Sequence, residues 1–261
     1  MDNGLVNDNV IDTSISNNKG SKFLDNGTFT NSHVKWNNST KKLPFSNKCQ
    51  YTTLYIEGPV SNDAINVEQT LAKNSSQVPR DTSLKIFHQN IRGLGNKFNE
   101  LYCHLHHDLP HILCLSEHHP SESELQLIHL TNYSLGANYC RKTFLKGGVS
   151  IFVYRNLKYS TINIDEYNID KDIEACAIQL DSTFDKLCIL TIYGSPRGDF
   201  TNFLKRLDLI LQKLYNNKYN IVICGDVNVN YLVDNNRRSQ LDAVLHSYNL
   251  MGIWPEFPNC H

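Results

Sequence analysis

The stretch Cys224-Gly225-Asp226-Val227-Asn228, directly after the apolar run Asn220-Ile221-Val222-Ile223, constrains the fold more than any other part of the chain. A short β-branched run ending in Gly-Asp-x-Asn reads as a buried strand that stops at a glycine. The glycine permits a sharp turn and a close approach by another group. Asp226 and Asn228 stand two residues apart at the carboxyl end, so an extended backbone would aim them to one side. A carboxylate beside an amide suits a water nucleophile or a phosphate oxygen. Gly, Asp and Asn are also ordinary turn residues, so this stretch alone leaves a plain turn open.

The 261 residues could hold one large domain or two small ones. Lys plus Arg is 25 against 26 for Asp plus Glu, so no overall field draws the chain to nucleic acid or membrane, and a nucleic-acid partner would need a local basic patch. The polar start Met1-Asp2-Asn3-Gly4 lacks an apolar segment behind it and predicts no secretory signal. No run approaches the length of a membrane span. Eight cysteines are scattered without C-x-x-C spacing, and Cys114, Cys188 and Cys224 sit inside apolar runs. They read as reduced core thiols of an intracellular protein.

Residues 1 to about 82 are rich in Asn, Ser, Thr, Asp and Lys, and their apolar residues keep no period. Such a segment is expected to be disordered, apart from a short strand at Tyr51–Ile56. From residue 83 a folded domain is expected. Leu84 to Asn90 alternates like a strand, a helix follows from Lys97 to His107, and His111 to Ser116 is a buried strand stopping at Glu117. Ser121 caps a short helix with Glu124 at the capping-box position. Strands are predicted over Val149–Tyr154, Ile173–Leu180 and Leu187–Tyr193. Asp199 caps a helix from Phe200 to Tyr215 striped by Phe203, Leu207, Ile210, Leu211 and Leu214. A last helix spans Arg237 to His246. The fold class is α+β, two sheets face to face with helices outside.

Asn90, Glu117, Tyr193 and the Asp226/Asn228 pair each stand where an apolar run stops. Any one has an ordinary explanation as a turn residue, a solvated acid or a strand aromatic. Polar groups recurring at strand ends point to a site gathered at one rim of a sandwich.

The series Phe87-His88-Gln89-Asn90-Ile91-Arg92-Gly93-Leu94, Ile112-Leu113-Cys114-Leu115-Ser116-Glu117-His118, Gly147-Gly148-Val149, Ile192-Tyr193-Gly194-Ser195-Pro196 and Gly225-Asp226-Val227-Asn228 resembles the endonuclease/exonuclease/phosphatase (DNase-I-like) superfamily over about residues 84 to 258. It is most similar to the apurinic-type endonuclease domains of non-LTR, jockey-like retrotransposons. The resemblance implies a four-layer sandwich and a Mg²⁺- or Mn²⁺-dependent DNA endonuclease, with a reverse transcriptase domain downstream in an intact element and a nuclear location. Glu117 would be the main metal ligand, helped by Asn90; a lone carboxylate with waters and a substrate phosphate suits so small a hard cation. Asp226 would orient or deprotonate the attacking water, Asn228 hold a phosphate oxygen, and Tyr193 steady the charge of the phosphorane-like state. His88 and Arg92 would lie near the DNA backbone. Pro196 stands where repair members carry a phosphate-contacting asparagine and retroelement members commonly carry proline.

Family members end in a Ser-Asp-His strand, and no such motif precedes the end of this sequence; His261 follows Pro258-Asn259-Cys260 without a strand pattern. The expectation is a domain over 83–261 that lacks its final strands, with exposed sheet edges and an activity impaired by loss of an acid/base worth ~10²–10⁴-fold in rate. Two other readings stay open. One is a phosphatase of the same fold; the other is a non-catalytic retroelement remnant that binds nucleic acid or protein.

Overall fold

The structure, a computed structural model, describes residues 26–31, 36–42, 50–57, 83–107, 109–181, 186–231 and 233–253. Among them two six-stranded mixed sheets lie face to face. Strands are numbered in chain order. One sheet runs, in spatial order, β2 (Trp36–Lys42), β3 (Gln50–Glu57), β4 (Ser83–Asn90), β5 (Ile112–Ser116), β7 (Val149–Tyr154) and β6 (Tyr133–Tyr139). The other runs β12 (Leu250–Ile253), β1 (Asn26–Asn31), β11 (Asn220–Asp226), β10 (Leu187–Tyr193), β9 (Glu174–Leu180) and β8 (Tyr159–Ile162).

Side-chain alternation along each strand builds three apolar layers. Ile86, Ile112, Cys114, Ile151, Ile178, Ile189, Val222 and Cys224 fill the space between the sheets. The residues between them face outward. Phe87, Leu113, Leu115 and Phe152 pack under Leu101 and Leu105 of helix α1 (Leu94–His107) and Leu125 of helix α2 (Glu122–Gln126). Cys188, Leu190, Ile221 and Ile223 pack under helix α3 (Phe200–Asn216) and helix α4 (Asn236–Ser247). Strands buried on both faces lose polar alternation, which is why the sequence shows them as continuous apolar runs.

Helices α2 and α3 begin where the sequence placed their caps, whereas α1 begins at Leu94, ahead of the expected Lys97. Asp199 accepts hydrogen bonds from the Thr201 and Asn202 amides, and Ser121 with Glu124 forms a reciprocal capping box. The expected stripe of α3, Phe203, Leu207, Ile210, Leu211 and Leu214, is buried.

Within the first 82 residues, the described ones depart from expectation. They contribute three strands, of which only the run inside β3 was anticipated. β3 pairs antiparallel with β4, placing Thr53 opposite Phe87. β1 pairs antiparallel with β11, placing Thr28 opposite Cys224, and β12 adds to the far side of β1. The edges of β4 and β11 are therefore paired. Composition misses such strands because they attach through the backbone ladder of an existing sheet edge, which needs no apolar period. His261 and everything after residue 253 lie outside the described residues. No described helix is long and apolar enough to cross a membrane.

Candidate active site

Strand direction gathers the site. β4 runs parallel to β5 in one sheet, with Asn90 beside Ser116, and β10 runs parallel to β11 in the other, with Tyr193 beside Asp226. Parallel partners end at the same rim, so four carboxyl ends meet across the sandwich. Backbone hydrogen bonds continue each pair past the ladder: Ile91 N to Ser116 O at 2.9 Å, Gly93 N to Glu117 O at 2.8 Å, and Gly194 N to Asp226 O at 2.9 Å.

At this rim the chain adopts conformations that L-residues avoid. Arg92 (φ 48°), Glu117 (φ 54°), His119 (φ 73°) and Asn228 (φ 50°) are all left-handed. Non-glycine residues in that region cost on the order of 1–3 kcal/mol each and cluster at functional sites. Gly225 does not turn the chain as expected; β11 runs through it to Asp226. Its need is close approach, because a Cβ there would collide with the Ile192 carbonyl oxygen of β10.

The side chains form one network. Asn90 Nδ2 donates to Glu117 Oε1 at 3.2 Å and, more closely, to Asp226 Oδ2. The Tyr193 hydroxyl donates to Glu117 Oε1 at 2.7 Å. Burial, then the bond to Glu117, pushes the Tyr193 phenol far above its usual range, so it is a proton donor at any physiological pH. Asp226 Oδ1 accepts from the Asn228 amide at 3.0 Å. Glu117 and Asp226, 109 positions apart in sequence, thus share Asn90 as a bridge.

The donor set fits a small hard cation. Asn90 Oδ1 is buried with no hydrogen-bond partner. Reversing the amide would set that oxygen against two carboxylates, so the orphan acceptor is the favourable assignment. Among the described residues no group of three or more His, Cys, Asp or Glu could hold a metal. An ion here would rest on Asn90 Oδ1, Glu117 and Asp226 with solvent and substrate oxygens, the manner in which Mg²⁺ is usually held.

The remaining expected residues divide. Asn228 does not face the same way as Asp226 on an extended strand; its left-handed backbone turns the amide to donate to Gly194 O at 2.7 Å. It braces the exits of β10 and β11 and retains a second N–H. Arg92 and Pro196 are exposed on the loops after β4 and β10. His88 is corrected: it is buried, with Nε2 3.2 Å from Ser116 Oγ, and cannot reach a DNA backbone. Inward alternation on β4 put it under the sheet, and burial lowers its pKa to about 3. Two residues escaped the sequence reading. His119 Nε2 lies 3.8 Å from Glu117 Oε2, hidden in a His-His pair of which His118 is buried. Arg141 stacks on the Tyr193 ring, 5.8 Å from its centroid.

No protein-family model matches the chain, and no curated protein sequence matches it. Solved structures do. The endonuclease domain of TRAS1, a telomere-specific non-LTR retrotransposon, superposes with TM-score 0.50 at 12% identity, covering 62% of this chain and 71% of that one. A humanized D. rerio TDP2 matches with TM-score 0.44 at 16% identity over 61% of this chain and 69% of that one. An endonuclease/exonuclease/phosphatase family protein from Bacteroides thetaiotaomicron gives TM-score 0.42 at 13% identity over 58% and 61%. With two facing mixed sheets, helices on both outer faces and the TRAS1 superposition, the chain has the DNase-I-like fold of the endonuclease/exonuclease/phosphatase superfamily.

Proposed function

We propose that the chain is a divalent-metal-dependent phosphodiesterase that nicks DNA, the endonuclease of a non-LTR retrotransposon. The observation that carries this is the Asn90 bridge between Glu117 and Asp226, with Tyr193 bonded to the same Glu117 oxygen. Bound at Asn90, Glu117 and Asp226, Mg²⁺ or Mn²⁺ would supply charge stabilisation for a phosphoryl oxygen. Asp226 orients the attacking water and takes its proton as the water oxygen bonds to phosphorus, while the ester P–O bond on the opposite side breaks and the departing sugar oxygen takes a proton from solvent. Asn90 and the Asn228 amide hold the Asp226 carboxylate in place for that step. Tyr193, neutral because it is buried, places a hydroxyl where the phosphoryl oxygens gain charge. The second N–H of Asn228 is available to a phosphate oxygen.

The likeness to the TRAS1 endonuclease domain supports the fold and brings with it the retrotransposon setting. DNA as partner, a neighbouring reverse transcriptase and nuclear action belong to that setting.

The experiment is nicking of supercoiled plasmid with Mg²⁺. The chain converts supercoiled to open circular DNA, Glu117→Ala and Asp226→Asn lower the rate by about 10²–10⁴-fold, and EDTA stops it. No nicking by the wild-type chain, or equal nicking by Glu117→Ala, contradicts the proposal.

A further inference from the structure

We propose that Arg141 binds a phosphate of the nucleic-acid strand beside the one that is cut; the assignment rests on the phosphodiesterase reading above. The catalytic network does not use Gly147-Gly148, which lie beside Arg141 and His118. Both glycines are left-handed, with φ 106° and 86°. A Cβ on Gly147 would occupy the place of the Arg141 guanidinium, and one on Gly148 would strike the His118 ring. The Gly-Gly pair thus lets a guanidinium lie against backbone. Arg141 is fixed there by Glu174 of β9, the strand residue paired with Tyr193. Its Nε donates to Glu174 Oε1 at 2.5 Å.

A purely structural ion pair would present both carboxylate oxygens to the guanidinium fork. Here Glu174 Oε2 accepts instead from Gly148 N at 2.5 Å, and Oε1 also takes Lys171 N at 3.1 Å. Glu174 is fully buried and saturated, and the fork is left over. A guanidinium carries five N–H donors. Among the described residues only Nε has a protein acceptor, although the side chain is just 9% exposed. The Nη groups therefore keep N–H donors open to solvent beside the site, where an anionic acceptor makes shorter and stronger bonds to a guanidinium than a neutral one. The guanidinium lies over the ring of Tyr193, whose hydroxyl bonds Glu117. On the phosphodiesterase reading, the oxyanion able to accept there with two oxygens at once is a phosphodiester of the strand in the site, its two non-bridging oxygens facing the guanidinium.

The test measures anisotropy of a short fluorescein-labelled duplex with the full chain in EDTA, across a salt series. Arg141→Met should weaken binding about tenfold and reduce the slope of log K against log salt by about 0.9, the share of one phosphate. Arg141→Lys should keep the slope and lose part of the affinity. Because Arg141→Met leaves a buried carboxylate unpaired, the neutral pair Arg141→Met/Glu174→Gln guards against misfolding and should show the same loss of slope. Wild-type affinity and slope in that pair, in a chain whose wild type nicks plasmid, overturns the Arg141 assignment alone. A wild-type chain that neither binds nor nicks DNA overturns the phosphodiesterase reading and this assignment with it.

Discussion

Among the site residues, Asn90 decides whether two carboxylates can coexist. Like charges drawn together at a rim repel, and Asn90 offsets this by donating one N–H to each while its buried oxygen has no hydrogen-bond partner. Asn90→Asp should therefore disrupt the site more than Asn90→Ala, because it adds a third negative charge; rates on plasmid compare the two. Tyr193→Phe removes only the hydroxyl and should lower kcat by about 10²–10³-fold with little change in stability. The types and spacing of these residues were legible because each ends an apolar run. His88 lies two residues before Asn90 and so shares its inward face of β4 with Ile86; being deeper along the strand, it is buried between the sheets instead of opening at the rim.

His88 also gives a pH dependence. Its folded pKa is about 3 against an ordinary 6.5, so the unfolded chain binds a proton that the folded chain refuses. The stability contributed by keeping His88 neutral is full above about pH 6.5 and is lost as pH falls from there toward 3. Unfolding free energy should decline in that window by up to about 1.4 kcal/mol per pH unit from this residue. His88→Gln, measured by denaturant unfolding at several pH values, should flatten the decline.

At the scale of elements, the parallel pair β10–β11 fixes the distance between Tyr193 and Asp226. Its closeness depends on Gly225. Gly225→Ala should cost about 1–3 kcal/mol as overpacking and cost activity more heavily, since the strands that separate carry the network. Under this sheet, Leu207→Ala should destabilise by about 2–5 kcal/mol, because Leu207 is wholly buried at the centre of the α3 stripe. Both follow from features visible in the sequence, the glycine after a β-branched run and the helical stripe. The glycine's role was not visible, since a turn and a close approach select the same residue. β6 and β8 were missed because their half-polar runs interleave with Asn, Ser and Thr. Their attachments lie in the sheets around them.

Across the whole molecule, the early segment was the least legible. Its strands β1 and β3 flank β11 and β4, the strands that deliver Asp226 and Asn90. A chain starting at residue 83 should lose soluble yield and elute as aggregate on gel filtration, because two sheet edges would be opened beside the site. The sandwich itself was foreseen from the order of runs and helices, which local patterning specifies. The long-range pairing of residues 26–57 was not, because a polar strand has no signature of its own before its partner edge exists.

Magnesium titration followed by thermal unfolding, on wild type beside Glu117→Ala and Asp226→Asn, tests most directly whether one cation is shared across the rim. The wild-type midpoint should rise with Mg²⁺ by mass action, and each variant should lose most of that rise. An equal rise in the variants, or none in the wild type, would contradict a common ion at Asn90, Glu117 and Asp226.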